Sequence, residues 1–181
     1  MSKIISITAI AAAVLGFVAF AEIAKQTRMP EVEEAPKTMT KEQASKLTEE
    51  DWEKRLTPIQ HYILRESGTE RPNGIVYKQF KKQGDGTYHC AGCNAELFSS
   101  DTKFDSGSGW PSFYDIANAE NIKTITDSSG GMTRTEVRCA VCDGHLGHVF
   151  FGESYDTPTK KRYCINGSAL QFAPETETET K

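Results

Sequence analysis

The chain has no basic excess. Its 21 lysines and arginines fall short of 25 acidic residues, leave a formal charge of −4 and are scattered rather than gathered into a stripe. A surface that neutralises phosphates needs the opposite, so nucleic acid is not an expected partner. Length for two full domains is also missing: 181 residues, 38% hydrophobic and 25% charged, make one domain with a core plus appendages. Neither Cys-x-x-C pair is followed directly by histidine, which excludes covalent haem attachment of the Cys-x-x-Cys-His kind. Residues 22–45, with Pro30, Pro36, Glu31, Glu33 and Glu34, have too little apolar surface to order themselves and read as a disordered tether. Residues 174–181, mostly alternating Glu and Thr, read as a solvated acidic tail.

One long apolar run is present, and it lies at the start. Lys3 is followed by Ile4 to Ala21, ending in Ala19-Phe20-Ala21, a small-residue cleavage signature before Glu22. Residues 1–21 therefore read as a signal peptide; an uncleaved membrane anchor through residues 4–21 is the alternative, since 18 apolar residues just reach across a bilayer. Either reading exports the remainder to a periplasmic or other extracytoplasmic space, although Lys25 and Arg28 weigh against that orientation.

The folded part, residues 46–173, opens with Thr48-Glu49-Glu50-Asp51, a capping box with Asp at its third helical position, and with Thr57-Pro58, a cap followed by a first-turn proline. Each predicts a short helix. After Asn73-Gly74 the sequence breaks into short Val-, Thr-, Tyr- and Phe-rich segments separated by Gly and Asp, the pattern of an antiparallel sheet. Two of these, Thr87–His89 and Thr133–Arg138, run straight into Cys90-Ala91-Gly92-Cys93 and Cys139-Ala140-Val141-Cys142. Two such knuckles, 45 residues apart, can close one tetrahedral four-thiolate zinc site. His145 and His148 stand at Cys-x-x-His and His-x-x-His spacing and form the rival ligand set. Disulfides within the Cys-x-x-C pairs, as in a thiol-disulfide oxidoreductase, are a further alternative in an oxidising compartment.

The fifth cysteine, Cys164, is the odd one. In Arg162-Tyr163-Cys164-Ile165-Asn166 the strand period puts Arg162, Cys164 and Asn166 on one face and sends Tyr163 and Ile165 into the core. A neighbouring guanidinium favours thiolate and predicts a lowered pKa. If four thiolates hold the metal, His145 and His148 are free to donate protons near neutral pH. Ser106-Gly107-Ser108-Gly109-Trp110-Pro111-Ser112-Phe113 brings a tryptophan on a loop able to wall a small apolar pocket, such as one for a methyl on sulfur. Asn166-Gly167-Ser168 matches a glycosylation sequon by chance, because a glycan there would bury the thiol.

Taken in order, Gly68-Thr69-Glu70-Arg71-Pro72, the two knuckles, Phe98 to Gly107, Gly109-Trp110-Pro111-Ser112-Phe113, His145-Leu146-Gly147-His148-Val149-Phe150 and Arg162-Tyr163-Cys164-Ile165-Asn166 resemble the B-type peptide-methionine (R)-S-oxide reductases, over roughly residues 47–172. The resemblance implies a mainly β fold of two antiparallel sheets clasped by a structural zinc on Cys90, Cys93, Cys139 and Cys142. It implies reduction of methionine-(R)-sulfoxide in oxidised proteins, with Cys164 as nucleophile and His145, His148 and Asn166 binding or protonating the sulfoxide oxygen. Trp110 would pack on the methyl, with Phe150 and Arg162 completing the substrate site and Arg162 supporting the thiolate. Many members carry a recycling cysteine just before Gly-Trp-Pro-Ser; Ser108 stands there instead, which implies that an external thioredoxin-like or small-thiol reductant regenerates Cys164. Gly167 stands where serine is usual. The reading from another class is a non-catalytic zinc-ribbon binding module, for which the Arg-x-Cys-x-Asn face and both histidines would be superfluous.

Overall fold

Three threonines start three consecutive helices in the same way. Thr40, Thr48 and Thr57 each accept a hydrogen bond from the main chain three residues on, and Gln43, Asp51 and Gln60 return one to the threonine N–H. Each pair satisfies two of the donors that a helix start leaves open. The helices are α1 (Lys41–Ser45), α2 (Glu49–Arg55) and α3 (Pro58–Leu64). The computed structural model describes residues 37–175. The expected signal peptide or anchor, 1–21, most of the tether and nearly all of the acidic tail lie outside the described residues, and among those described no helix is long and apolar enough to cross a membrane.

Both boundaries of the folded part lie further out than expected. The end of the anticipated tether, 37–45, joins the domain: Met39 N donates to Cys93 O, Thr38 Oγ1 donates to Asn94 O, and Ala44 is buried. The capping box at Thr40 and this main-chain stitching supply what the composition lacks. At the other end the last strand runs through Pro174, and Glu175 N donates to Asp85 O.

A fourth helix, α4 (Ile75–Lys82), occupies the start of what reads as sheet. Its opening Ile-Val-Tyr has strand-like composition and Gly74 gives it no side-chain cap. The helix is decided by packing instead: Tyr77 and Phe80, three apart, are buried while Ile75 is 70% exposed. Eight strands follow: β1 (Gly86–Cys90), β2 (Glu96–Ser99), β3 (Ser112–Phe113), β4 (Ile122–Asp127), β5 (Arg134–Cys139), β6 (His145–Phe151), β7 (Lys161–Ile165) and β8 (Leu170–Pro174). They form two antiparallel sheets, ordered β2-β1-β8 and β3-β7-β6-β5-β4. The mainly β, two-sheet expectation holds.

Aromatic rings from both sheets and α4 fill the core. Phe98 of β2 stacks on Phe113 of β3 with centroids 4.4 Å apart, and Phe80 and Tyr88 meet Phe113 edge-on at 5.6 and 5.1 Å. Such contacts add to the area buried by each ring. Phe113, fully buried at this junction and paired with Tyr163, is the ring on which the two sheets and α4 converge. Phe113→Ala is expected to remove about 3–5 kcal/mol of stability, measured by urea unfolding followed through circular dichroism; a loss under about 1 kcal/mol would show that the cavity collapses without cost.

Candidate active site and metal centre

β1 and β5 deliver the two knuckles in matching geometry. Asn94 N donates to Cys90 O and Asp143 N to Cys139 O, and Asn94 and Asp143 both take a left-handed backbone at φ 62°. Asn and Asp tolerate that conformation better than other non-glycine residues. The turns point four buried sulfurs inward: Cys90 and Cys142 Sγ lie 3.6 Å apart, Cys93 and Cys139 Sγ 3.5 Å, and all four within 4.8 Å. Zinc–sulfur bonds of about 2.3 Å in a tetrahedron place sulfurs about 3.8 Å apart, so this set fits a four-thiolate metal ion. Around it, Arg55 Nε donates to Gly92 O and Arg65 Nη1 to Cys142 O, while the Arg65 guanidinium lies over the Trp52 ring. These contacts hold the knuckle carbonyls and put positive charge beside what would be a net-negative cluster.

The histidines of the rival ligand set are engaged elsewhere. His145 Nδ1 donates to Glu136 Oε1 at 2.6 Å, and His148 Nε2 to Asp127 Oδ2 at 2.8 Å. Three residues apart on a regular strand, the two rings would face opposite sides of the sheet. A bulge re-phases β6: Val137 pairs with Gly147 but Arg138 with His145, so Leu146 is extra and the rings meet with centroids 5.6 Å apart. Burial pushes the His145 imidazole down, against the pull of Glu136, and among the described residues its Nε2 has no hydrogen-bond partner.

Cys164 sits where β7 is flanked on both sides. Across the ladders its partners are His148 on β6 and Ser112 on β3, and directly opposed residues bring their Cβ atoms to about 4.5–5.5 Å. Between the histidines, Gly147 lets β6 close on β7, since a Cβ there would stand 2.1 Å from Cys164 O. The thiol opens into a cavity of about 150 Å³ lined by Trp110, His148, Phe150, Asn166, Thr69 and Arg134, among others. Trp110, Phe150, His148, Cys164 and Asn166 thus come together as expected. Arg162 and His145 are not among the lining residues; the Arg162 guanidinium lies over the Phe150 ring at 4.4 Å, reaches Cys164 and is paired through two bonds with Glu153. Asn166 is buried, with its amide donating to Leu146 O and accepting from Glu70 N, so the sequon at this position cannot carry a glycan.

The lowered thiol pKa expected from Arg162 does not result. Burial pushes the Cys164 thiol up, and attraction to Arg162 together with a weak contact from Ser108 Oγ at 4.0 Å only partly offsets it. Sequence reasoning also missed Glu136, Asp127, Arg134, Glu153 and Glu70, carboxylates and a guanidinium around the site; Arg134 and Glu136 come from β5 and Asp127 from β4, while Glu153 and Glu70 lie in loops. Glu153–Arg162 and Glu136–His145 lie 9 residues apart and Asp127–Arg134 7, but none of these spacings is a motif, and Glu70 lies 40 or more residues from its partners. The nucleophilic form is the thiolate, so alkylation of Cys164 by iodoacetamide, followed by peptide mass spectrometry, is expected to show a pH midpoint above the ordinary thiol value of about 8.5. Arg162→Gln should move the midpoint higher still. A midpoint below the ordinary value would mean that Arg162 outweighs burial.

Comparison with known proteins identifies the family. The SelR domain matches residues 56–174. The peptide methionine sulfoxide reductase MsrB of Synechococcus sp. (strain RCC307) is 55% identical over 129 residues, covering 71% of this chain and 92% of that protein. The protein of the same name from Methanosarcina barkeri is 50% identical over 137 residues, 75% of this chain and 93% of its own. That of Leptospira interrogans is 53% identical over 129 residues, covering 71% and 95%. With one domain matched over most of its folded length and relatives of this similarity matched almost end to end, the chain belongs to the SelR family of MsrB peptide methionine sulfoxide reductases.

Proposed function

We propose that the protein reduces methionine-(R)-sulfoxide in oxidised proteins to methionine. The observation that carries the reading is the cavity at Cys164, where a thiol, an imidazole and an indole line one small space. A sulfoxide sulfur becomes electrophilic when its oxygen is hydrogen-bonded or protonated. His148, opposite Cys164 in the ladder and oriented by Asp127, supplies that proton. His145, held by Glu136 behind it, fixes the ring's position, and the Asn166 amide fixes the oxygen. Trp110 receives the methyl. The Cys164 sulfur attacks the sulfoxide sulfur, the sulfur–oxygen bond breaks as the oxygen passes to Cys164, and methionine leaves. Methionine gains two electrons and Cys164 becomes a sulfenic acid. Two thiol equivalents then return Cys164 to the thiol and release water.

Those equivalents come from outside the chain, from a thioredoxin-like protein or a small thiol, because Ser108 lies beside Cys164 without a sulfur to offer and the other four cysteines are gathered in the metal centre. The metal is zinc, held by Cys90, Cys93, Cys139 and Cys142; bound there it supplies a structural clasp and takes no part in the reaction. Export, read from the apolar segment 4–21 and its small-residue site, would place this repair outside the cytoplasm, with an anchor if that segment is retained. A non-catalytic zinc ribbon would need no cavity at an unpaired thiol, and the relatives are reductases by name.

Two fixed points, the Trp110 wall and the His148 donor, leave one epimer with its sulfur toward Cys164. Purified protein is therefore expected to reduce the R epimer of a methionine sulfoxide peptide and leave the S epimer essentially untouched. With one equivalent of substrate and no reductant, Cys164 should gain a single oxygen in mass spectrometry and no internal disulfide should form. Comparable rates on both epimers would defeat the reading.

Metal analysis provides a separate check. Wild-type protein should hold about one zinc per chain, and Cys139→Ser should lose it and fold poorly, since structural zinc contributes roughly 10–16 kcal/mol of apparent binding free energy. Retention of zinc by Cys139→Ser would break the ligand assignment.

A further inference from the structure

Glu70 is not among the residues lining the cavity, yet it hydrogen-bonds to two of them and to the turn that follows β7. Its carboxylate accepts hydrogen bonds from Gly167 N at 2.6 Å, Ser168 N at 3.0 Å and Ser168 Oγ at 2.6 Å. Its main-chain N–H donates to Asn166 Oδ1 at 3.0 Å, and its carbonyl accepts from Trp110 Nε1 at 3.0 Å. One residue therefore ties together the two cavity walls and the turn that follows β7.

The turn explains why a carboxylate is needed. Gly167–Ala169 is a single 3₁₀ turn whose N-cap is Asn166, and the Asn166 side chain makes no capping bond to it. Asparagine at an N-cap ordinarily turns its side-chain oxygen onto the second or third N–H of its own helix. Here the Glu70 carboxylate, 97 residues away in sequence, takes the first two N–H groups. The Asn166 amide is thereby released from its local role and held by Glu70 N and Leu146 O at the cavity wall. Gly167 fits the same arrangement, since a Cβ there would lie 3.1 Å from Glu70 Oε1 and 2.6 Å from Val76 Cγ1.

We infer that Glu70 is a positioning residue for the reduction: by capping the turn after β7 it keeps the Asn166 amide and the Trp110 indole in the substrate cavity. The inference rests on the reading of the Cys164 cavity as the methionine sulfoxide site. Without the carboxylate, the Asn166 side chain turns back to cap its own 3₁₀ turn and the tryptophan loses its rigid acceptor.

The test uses the full protein with Glu70→Gln and the milder Ser168→Ala, which removes one of the three bonds to the carboxylate. Steady-state kinetics on an R-epimer peptide should show KM raised on the order of tenfold in Glu70→Gln and a few-fold in Ser168→Ala, with the larger share of the change in KM rather than kcat. The chain has two tryptophans, Trp52 and Trp110, so ¹⁵N-labelled protein gives two indole N–H signals. In Glu70→Gln the Trp110 signal should shift and exchange faster with solvent, while that of Trp52 in the core stays in place. Normal KM in both variants overturns the inference, and so does a raised KM with an unmoved Trp110 signal. Should wild-type protein not reduce the peptide at all, the functional reading falls instead, and the indole spectra still report whether Glu70 holds the tryptophan.

Discussion

Four sulfurs drawn within 4.8 Å tie a corner of the three-stranded sheet to a corner of the five-stranded one. Cys90 closes β1 and Cys139 closes β5, so the same cluster sets where both sheets begin their next strand. β6 starts three residues beyond Cys142 and carries both histidines. The position of the imidazoles is therefore inherited from the cysteine cluster, although none of its four cysteines lines the cavity. Four thiols buried this close have one another as weak partners, and their spacing is what a metal ion would fit.

From that fixed start, the active site is made by strand registry. β6 and β7 oppose His148 to Cys164 and Phe150 to Arg162, and β3 brings Ser112 to the other side of the thiol. The bulge at Leu146 is the one irregularity this plan requires. Without it His145 would face away from His148, Glu136 would lose its buried partner, and the donor ring would have nothing rigid behind it. Asp127 and Glu136 then orient one ring each, with Arg134 and Arg138 bonded to those carboxylates in turn.

The four clustered cysteines and the odd thiol were legible because each is marked by spacing or by exclusion from it. Strand alternation placed Tyr163 and Ile165 in the core correctly, as regular structure permits. The pairing of His145 with His148 was not derivable that way, because period-two reasoning separates them and a bulge leaves no mark in composition. α4 was hidden by its β-branched opening and absent cap, and only the burial of Tyr77 and Phe80 explains it. The direction of the Cys164 shift was misjudged because a sequence displays a nearby charge but not how much water the fold removes. Glu70 stood in a recognised motif, yet its partners lie near residues 110 and 167, and only the folded chain shows them together.

A thiol pushed up by burial is also a poor scavenger. Hydrogen peroxide and hypohalous acids react with thiolates, and a cysteine that rests mainly protonated in a cavity lined by a tryptophan and a phenylalanine presents them with little target. The price is an intrinsically slow nucleophile, tolerable because the substrate is held against it. The same oxidants that create the damaged methionines would otherwise destroy the repair catalyst first. In the proposed reduction, desolvation at Cys164 gives selectivity of timing: the sulfur is spent on a substrate that fills the cavity rather than on the oxidant that made it.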